Sequence, residues 1–270
     1  MRCPRVEQRI KRVDAFLRSM KDRLHAEIRL HLPAKTPLRV LEAGCGSSSQ
    51  ITIEPEWHVT GIDLSERQLS QNRVLHEKIL GNIETHRWEP ESFDLIVCWD
   101  VIEHLRNPEQ ALRNLFGALL QGGLLVLAFP HILSIKGLIT KFTPYSVASA
   151  FYRFAIGETR DTTESSQFPT HMRFGILPGR ITALAQEHGL ELSCQYLYEG
   201  PVQRYFRALS RVANAGFSAA GLLLPIMTFG RFHPNHTDCI LILKKPVAHD
   251  LTDTARARVS PSTKKEHHDA

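Results

Sequence analysis

Between Leu38 and Pro130 the chain alternates short apolar runs with stretches of helical periodicity. The first apolar run, LRVLEA (38–43), empties into a glycine-bearing turn, GCGSSSQ (44–50). Four more runs, HVTGID (58–63), KILGNI (78–83), FDLIVCWD (93–100) and GLLVLAFP (123–130), read as buried strands. SERQLSQNRVL (65–75) and PEQALRNLFGALLQ (108–121) read as helices, opened by Ser65 as N-cap and Pro108 at the first helical position. Such alternation builds a parallel sheet with right-handed crossovers, and ligands then sit beyond the carboxyl ends of its strands. The chemistry is therefore expected in the turns after residues 43, 63, 83, 100 and 130.

Around this core the sequence predicts four further regions. Val6, Ile10, Val13, Leu17, Met20, Leu24 and Ile28 fall at steps of three or four among charged residues, so residues 1–35 hold an amphipathic helix. The main domain spans 36–245. It carries an insertion at 131–170, rich in Ser, Thr, Phe and Tyr, that reads as a lid over the ligand edge. The helix PGRITALAQEHG (178–189) and the strands LELSCQYLY (190–198) and TDCILILKK (237–245) return to the core, and the polar residues 246–270 are expected to be disordered.

Composition narrows the function. A net charge of +5, concentrated at the two ends of the chain, does not make a nucleic-acid protein. Five cysteines without metal-ligand spacing speak against a disulfide framework or structural zinc and fit a reducing cytosol. The basic, then amphipathic, start lacks the continuous apolar stretch of a secretory signal.

The glycine turn admits two kinds of ligand. A dinucleotide pyrophosphate wants G-x-G-x-x-G, but the third position here is Ser49, and Glu42 sets a negative charge two residues before Gly44. A cationic ligand without phosphate tolerates that carboxylate. Asp63, 17 residues after Gly46, can accept both hydroxyls of a ribose and suits either ligand.

The ordered series VLEAGCG, GIDLS, GNIE, DVIEHL and GGLLVLAFP decides between them, because over roughly 95 residues it resembles the class I S-adenosylmethionine (SAM)-dependent methyltransferases, of the ubiquinone-pathway-like, type 11 and type 23 kinds. The resemblance implies an α/β fold: a Rossmann-like, seven-stranded, mostly parallel sheet with helices on both faces. It implies SAM as cofactor, with Glu42, Gly44 and Gly46 around the methionine part, Asp63 at the ribose, Leu64 flanking the adenine, Asn82 facing the adenine amino group, Ile83 offering its backbone N–H, and Cys98 where the chain passes the methyl donor. Two departures stand out. Ser48 replaces the third glycine of the family's G-x-G-x-G, and only 11 residues separate Gly46 from His58, too few for a long first helix.

His104, within DVIEHL, has three readings: a lock on the strand-to-helix turn, the general base for transfer to a hydroxyl, or, with Asp100, Glu103 and His131 or His171, part of a metal site like that of small-RNA and ubiquinone-pathway O-methyltransferases. No metal is assigned. FPTHMRF (168–174) resembles an element of methyltransferases associated with cell-surface glycans and lipids, which makes His171 and Arg173 acceptor-side candidates; a buried loop anchored by Phe168 and Phe174 is the other reading. The uncharged run 212–230 reads first as a buried hairpin. Its flanking Arg204, Arg207, Arg211 and Arg231 keep open a peripheral membrane contact through 204–231, at the inner face of the membrane. The expected reaction is methyl transfer to a heteroatom, most readily a hydroxyl of a sugar, lipid-linked or other small acceptor. A non-catalytic SAM-binding scaffold and a nicotinamide oxidoreductase are the alternatives, and the oligomeric state is undetermined.

Overall fold

The computed structural model describes residues 4–131, 176–228 and 233–247. The expected lid from residue 132 onward, His171, Arg173 and the tail from residue 248 lie outside them. Helix α1 (Pro4–His31) leads into β1 (Arg39–Ala43), β2 (His58–Asp63), α2 (Glu66–Gln71), β3 (Glu77–Leu80) and β4 (Phe93–Trp99). A 3₁₀ turn (Ile102–His104) follows, then α3 (Pro108–Ala118) and β5 (Leu119–Pro130). After the undescribed segment come α4 (Pro178–Glu187), β6 (Glu191–Tyr198), α5 (Pro201–Leu209), α6 (Arg211–Met227) and β7 (Asp238–Lys244).

The seven strands form one sheet in the order β3-β2-β1-β4-β5-β7-β6. Every pairing from β3 to β5 is parallel, while β7 runs antiparallel to both β5 and β6. Chain order reverses between β1 and β4, whose residues Val40 to Glu42 pair with Leu95 to Val97. Such a switch point opens a crevice at the carboxyl ends of the strands.

Two apolar layers cover the sheet. On one face Ile96, Leu125 and Leu241 meet Leu112, Leu115 and Phe116 of α3 and Ile181 of α4. On the other, Val40, Leu95 and Val126 meet Trp57 and the last turns of α1 through Leu24 and Ile28. Burying each such side chain contributes about 1.5–3 kcal/mol. Only the second half of α1 reaches this core; its first half lies against α5, where Arg9 Nη2 donates to the Arg207 carbonyl at 3.1 Å and the Tyr205 hydroxyl donates to Asp14.

Several expectations change, among them the helix expected over 108–121, which ends at Ala118, with Leu119 to Gln121 opening β5. The helix expected over 65–75 stops at Gln71, because the Asn72 N–H closes it on the Gln68 and Leu69 carbonyls and the Asn72 side chain turns to other work. The strand expected over 78–83 ends at Leu80, where Gly81 begins a turn. The run expected as a buried hairpin from Val212 is a helix through Met227, without one buried residue. Val212, Leu222, Leu223, Ile226 and Met227 face outward, where an apolar composition suggests burial.

Candidate active site

Four loops at the carboxyl ends of β1 to β4 enclose a cleft of about 610 Å³. The β1 loop (44–50) contributes Gly44, Cys45, Gly46, Ser47, Ser48 and Gln50. The β2 end brings Ile62, Asp63 and Leu64, the β3 loop Gly81 to Glu84, and the β4 loop Trp99, Asp100, Val101, His104, Leu105 and Arg106. No helix intervenes between β1 and β2, as the short spacing implies.

The β1 loop takes its shape from glycine. Gly44 has φ +79° and Gly46 φ +52°, left-handed values that side-chain-bearing residues rarely adopt. A Cβ on Gly44 would lie 2.3 Å from Val101 Cγ2, so the loop also presses against the β4 turn. Asp63 fixes the loop from the side: its Oδ2 accepts the Gly46 N–H at 2.9 Å and its Oδ1 the Ser65 N–H at 2.8 Å. Ser65 in turn caps α2 by accepting the Gln68 N–H. Asp63 thus both caps locally and stands in the cleft, and with about four lone-pair sites its carboxylate retains acceptor capacity for a ligand.

Two asparagines brace the cleft from behind, and sequence reasoning did not single them out. The fully buried Asn72 donates through Nδ2 to the carbonyls of Cys45 and Gly46, each at 3.3 Å. Asn114, on α3, reaches the carbonyls of Ile83, Glu84 and His86 at 3.3, 2.9 and 3.4 Å. A buried polar residue just past a short helix and another inside an apolar helical face are the signals that could have found them.

Asn82 lines the cleft with its amide oxygen accepting the Glu84 N–H at 2.8 Å, which fixes the amide's orientation. Leu64 is 55% exposed at the rim, an apolar surface left open to a flat ring. Two expected residues do not line the cleft. Cys98 is buried in the core beneath the β4 end, and burial, then Glu103 and Asp100, raise its thiol far above the ordinary range. Glu42 is buried behind the glycine loop, where one carboxylate oxygen accepts from the Ser49 hydroxyl and the other has no partner among the described residues. Burial raises its pKa, and the Ser49 hydrogen bond opposes that shift.

His104 opens onto the cleft from the 3₁₀ turn, with its N–H donating to the Val101 carbonyl at 2.9 Å. Its Nε2 lies 3.9 Å from Oε1 of the buried Glu103. The turn starts from Asp100 at φ +52°, and the Asp100 N–H is held by the Ala128 carbonyl at 2.8 Å. Among the described residues no group of three His, Cys, Asp or Glu side chains is arranged to hold a metal. His131, at the end of β5, is absent from the cleft lining.

The family comparison matches residues 41–127 to a methyltransferase domain. A ubiquinone biosynthesis O-methyltransferase of Coxiella burnetii is 26% identical over 162 residues, covering 57% of this chain and 63% of that protein. The chain therefore spans less than two thirds of that relative's length. Among solved structures, the phosphoethanolamine N-methyltransferase 2 of Haemonchus contortus superposes with a TM-score of 0.51 at 16% identity, over 83% of this chain and 53% of that one. The [4+2]-cyclase SpnF superposes with a TM-score of 0.50 at 17% identity, over 84% and 82%. One fold thus carries both a methyltransferase and a cyclase, and it is the site rather than the fold that must argue the chemistry. Within residues 41–127 this chain is similar to SAM-dependent methyltransferases, and its sheet has the Rossmann-like strand order of that fold.

Proposed function

We propose that this chain binds SAM in the β1–β4 cleft and transfers its methyl group to an oxygen of a small or lipid-linked acceptor. The observation that carries the reading is the convergence of the Gly44–Gly46 turn, Asp63, Leu64, Asn82 and His104 on one cleft. The residues suit this ligand better than a dinucleotide. The buried Glu42 carboxylate behind the turn opposes a phosphate and favours a cation, and Asp63 keeps lone pairs for ribose hydroxyls. Leu64 offers its exposed side chain to the adenine face, and the Asn82 amide oxygen keeps one lone pair for an amino group.

Bound SAM supplies a methyl group on a sulfonium, which leaves as a neutral thioether without acid assistance. What remains for the protein is to position the acceptor, exclude water and take up one proton. His104 Nε2 is the acceptor of that proton in this reading, because it is an imidazole nitrogen on the cleft wall that can serve as a general base. Glu103, at 3.9 Å, compensates the positive charge that develops on the ring. The 26% identical ubiquinone-pathway relative supports oxygen as the acceptor atom.

The test is to incubate the protein with a small-molecule and lipid extract and methyl-labelled SAM, then identify the labelled product. A labelled O-methyl product that needs His104 supports the reading. Label on nitrogen or carbon moves the acceptor class, and no label with intact SAM binding leaves a binding protein without transferase activity.

A further inference from the structure

Helix α6 turns much of its apolar surface outward. Toward the protein Phe217 meets Phe206 edge-on at 6.5 Å between centroids and Asn214 Oδ1 accepts from Arg207 Nε at 3.1 Å, while Ser218 Oγ accepts from Arg207 Nη2 at 3.2 Å. Toward solvent it presents Val212 in its first turn and, in its last two turns, Leu222, Ile226 and Met227, which are 85%, 67%, 69% and 73% exposed, with Leu223 beside them. An outward apolar stripe of this length is not ordinary surface scatter. The helix has a Ser210 cap accepting the Ala213 N–H at 3.1 Å, so it does not need the stripe covered to be well formed.

Charge indicates what covers it. From Gly200 to Thr237 there is no Asp or Glu, while four arginines occur. Two of these are spoken for inside the protein: Arg207 pairs with Glu199 at 2.9 Å, and Arg204 stacks on Phe16, 3.6 Å from its centroid. Arg211 is exposed at the start of α6. Arg12 is exposed on the first half of α1, and the Arg9 contact with the Arg207 backbone brings that half beside α5, the helix that leads into α6. An apolar stripe without acids, next to exposed cations, complements a surface that is apolar inside and anionic at its rim. Among the described residues no helix is long and apolar enough to cross a membrane, which leaves α6 to lie along one.

We propose that α6 docks this protein on an anionic lipid surface, with Leu222, Leu223, Ile226 and Met227 entering the acyl boundary and Arg211 and Arg12 meeting lipid phosphates. Because Glu199 holds Arg207 and Arg204 packs on Phe16, the apolar contribution dominates and salt weakens binding only modestly, within the roughly 8–10 Å reach of screened charge.

The experiment is co-sedimentation of the full chain with vesicles of phosphatidylcholine alone and of phosphatidylcholine with about a third phosphatidylglycerol, at low and high salt. The expected result is binding to the anionic vesicles, about 5-fold weaker for Arg211→Ser and at least about 30-fold weaker for Leu222→Asp combined with Ile226→Asp. Both substituted positions are exposed and absent from the cleft lining, and unchanged circular dichroism and SAM affinity report that the variant is folded. Wild-type protein left in the supernatant under every condition overturns the proposal, as does a double variant that sediments like wild type. A concentration-dependent dimer abolished by the double variant, without vesicle binding, assigns the stripe to a second copy of this chain instead.

Discussion

The Asp63 carboxylate holds the Gly46 N–H at 2.9 Å, tying the end of β2 to the glycine turn after β1. The same carboxylate accepts the Ser65 N–H, so one side chain shapes two walls of the cleft. Asp63→Ala should therefore do two things. It should lower the stability of the ligand-free protein by about 1–3 kcal/mol, from two lost hydrogen bonds to a charged acceptor, and weaken SAM binding by about 2–4 kcal/mol. Thermal melts and calorimetric titration separate the two. A destabilised variant with unchanged SAM affinity would confine Asp63 to the structural role.

Gly44→Ala should be costly for two separable reasons, the left-handed φ and the 2.3 Å approach to Val101 Cγ2. The first costs about 1–2 kcal/mol and the overpacking about 1–3 kcal/mol. Adding Val101→Ala should recover the packing part alone. Strict additivity of the two substitutions in a double-mutant cycle would show that Val101 is not what Gly44 accommodates.

Glu42 makes a pH prediction. Burial raises its pKa, so the folded protein holds this proton more tightly than the unfolded chain. The stability it contributes is complete below the ordinary value of 4.5 and is lost as pH rises through the raised folded value. Glu42→Gln keeps a hydrogen-bond partner for Ser49 and removes the charge. The ligand-free variant should gain on wild type as pH climbs above 4.5, while SAM affinity at neutral pH falls. Parallel stability curves across that range would remove the buried charge from the account.

His104→Ala should lower turnover at least about 100-fold with SAM affinity nearly intact, since the backbone N–H that braces the turn on Val101 survives the substitution. Activity lost only in proportion to melting temperature would mean that the histidine locks the turn and does no chemistry.

How far the sequence could be read depends on which physical signal each element left. The strands β1, β2, β4 and β5 were legible because both faces of a parallel sheet are buried there, which leaves near-continuous apolar runs such as LRVLEA and FDLIVCW, whereas the edge strand β3 is mostly exposed. Gly44, Gly46 and Asp63 were legible because backbone geometry and ligand chemistry demand those residue types there. Asn72 and Asn114 were not, since an asparagine that satisfies buried carbonyls looks in sequence like any polar residue. Cys98 was assigned by motif position, yet its side chain points into the core. Helix α6 was not legible because apolar content suggests burial, whereas Val212, Leu222, Ile226 and Met227 are exposed on it.

The central claim is that this cleft holds SAM. Titrating the purified protein calorimetrically with SAM, S-adenosylhomocysteine and NAD tests it most directly, since the three ligands share an adenosine and differ in charge beyond the ribose. The account predicts binding of the first two, weakened by Asp63→Ala, and none of NAD, whose pyrophosphate would face the buried Glu42. Binding of NAD with no response to SAM or S-adenosylhomocysteine would contradict it.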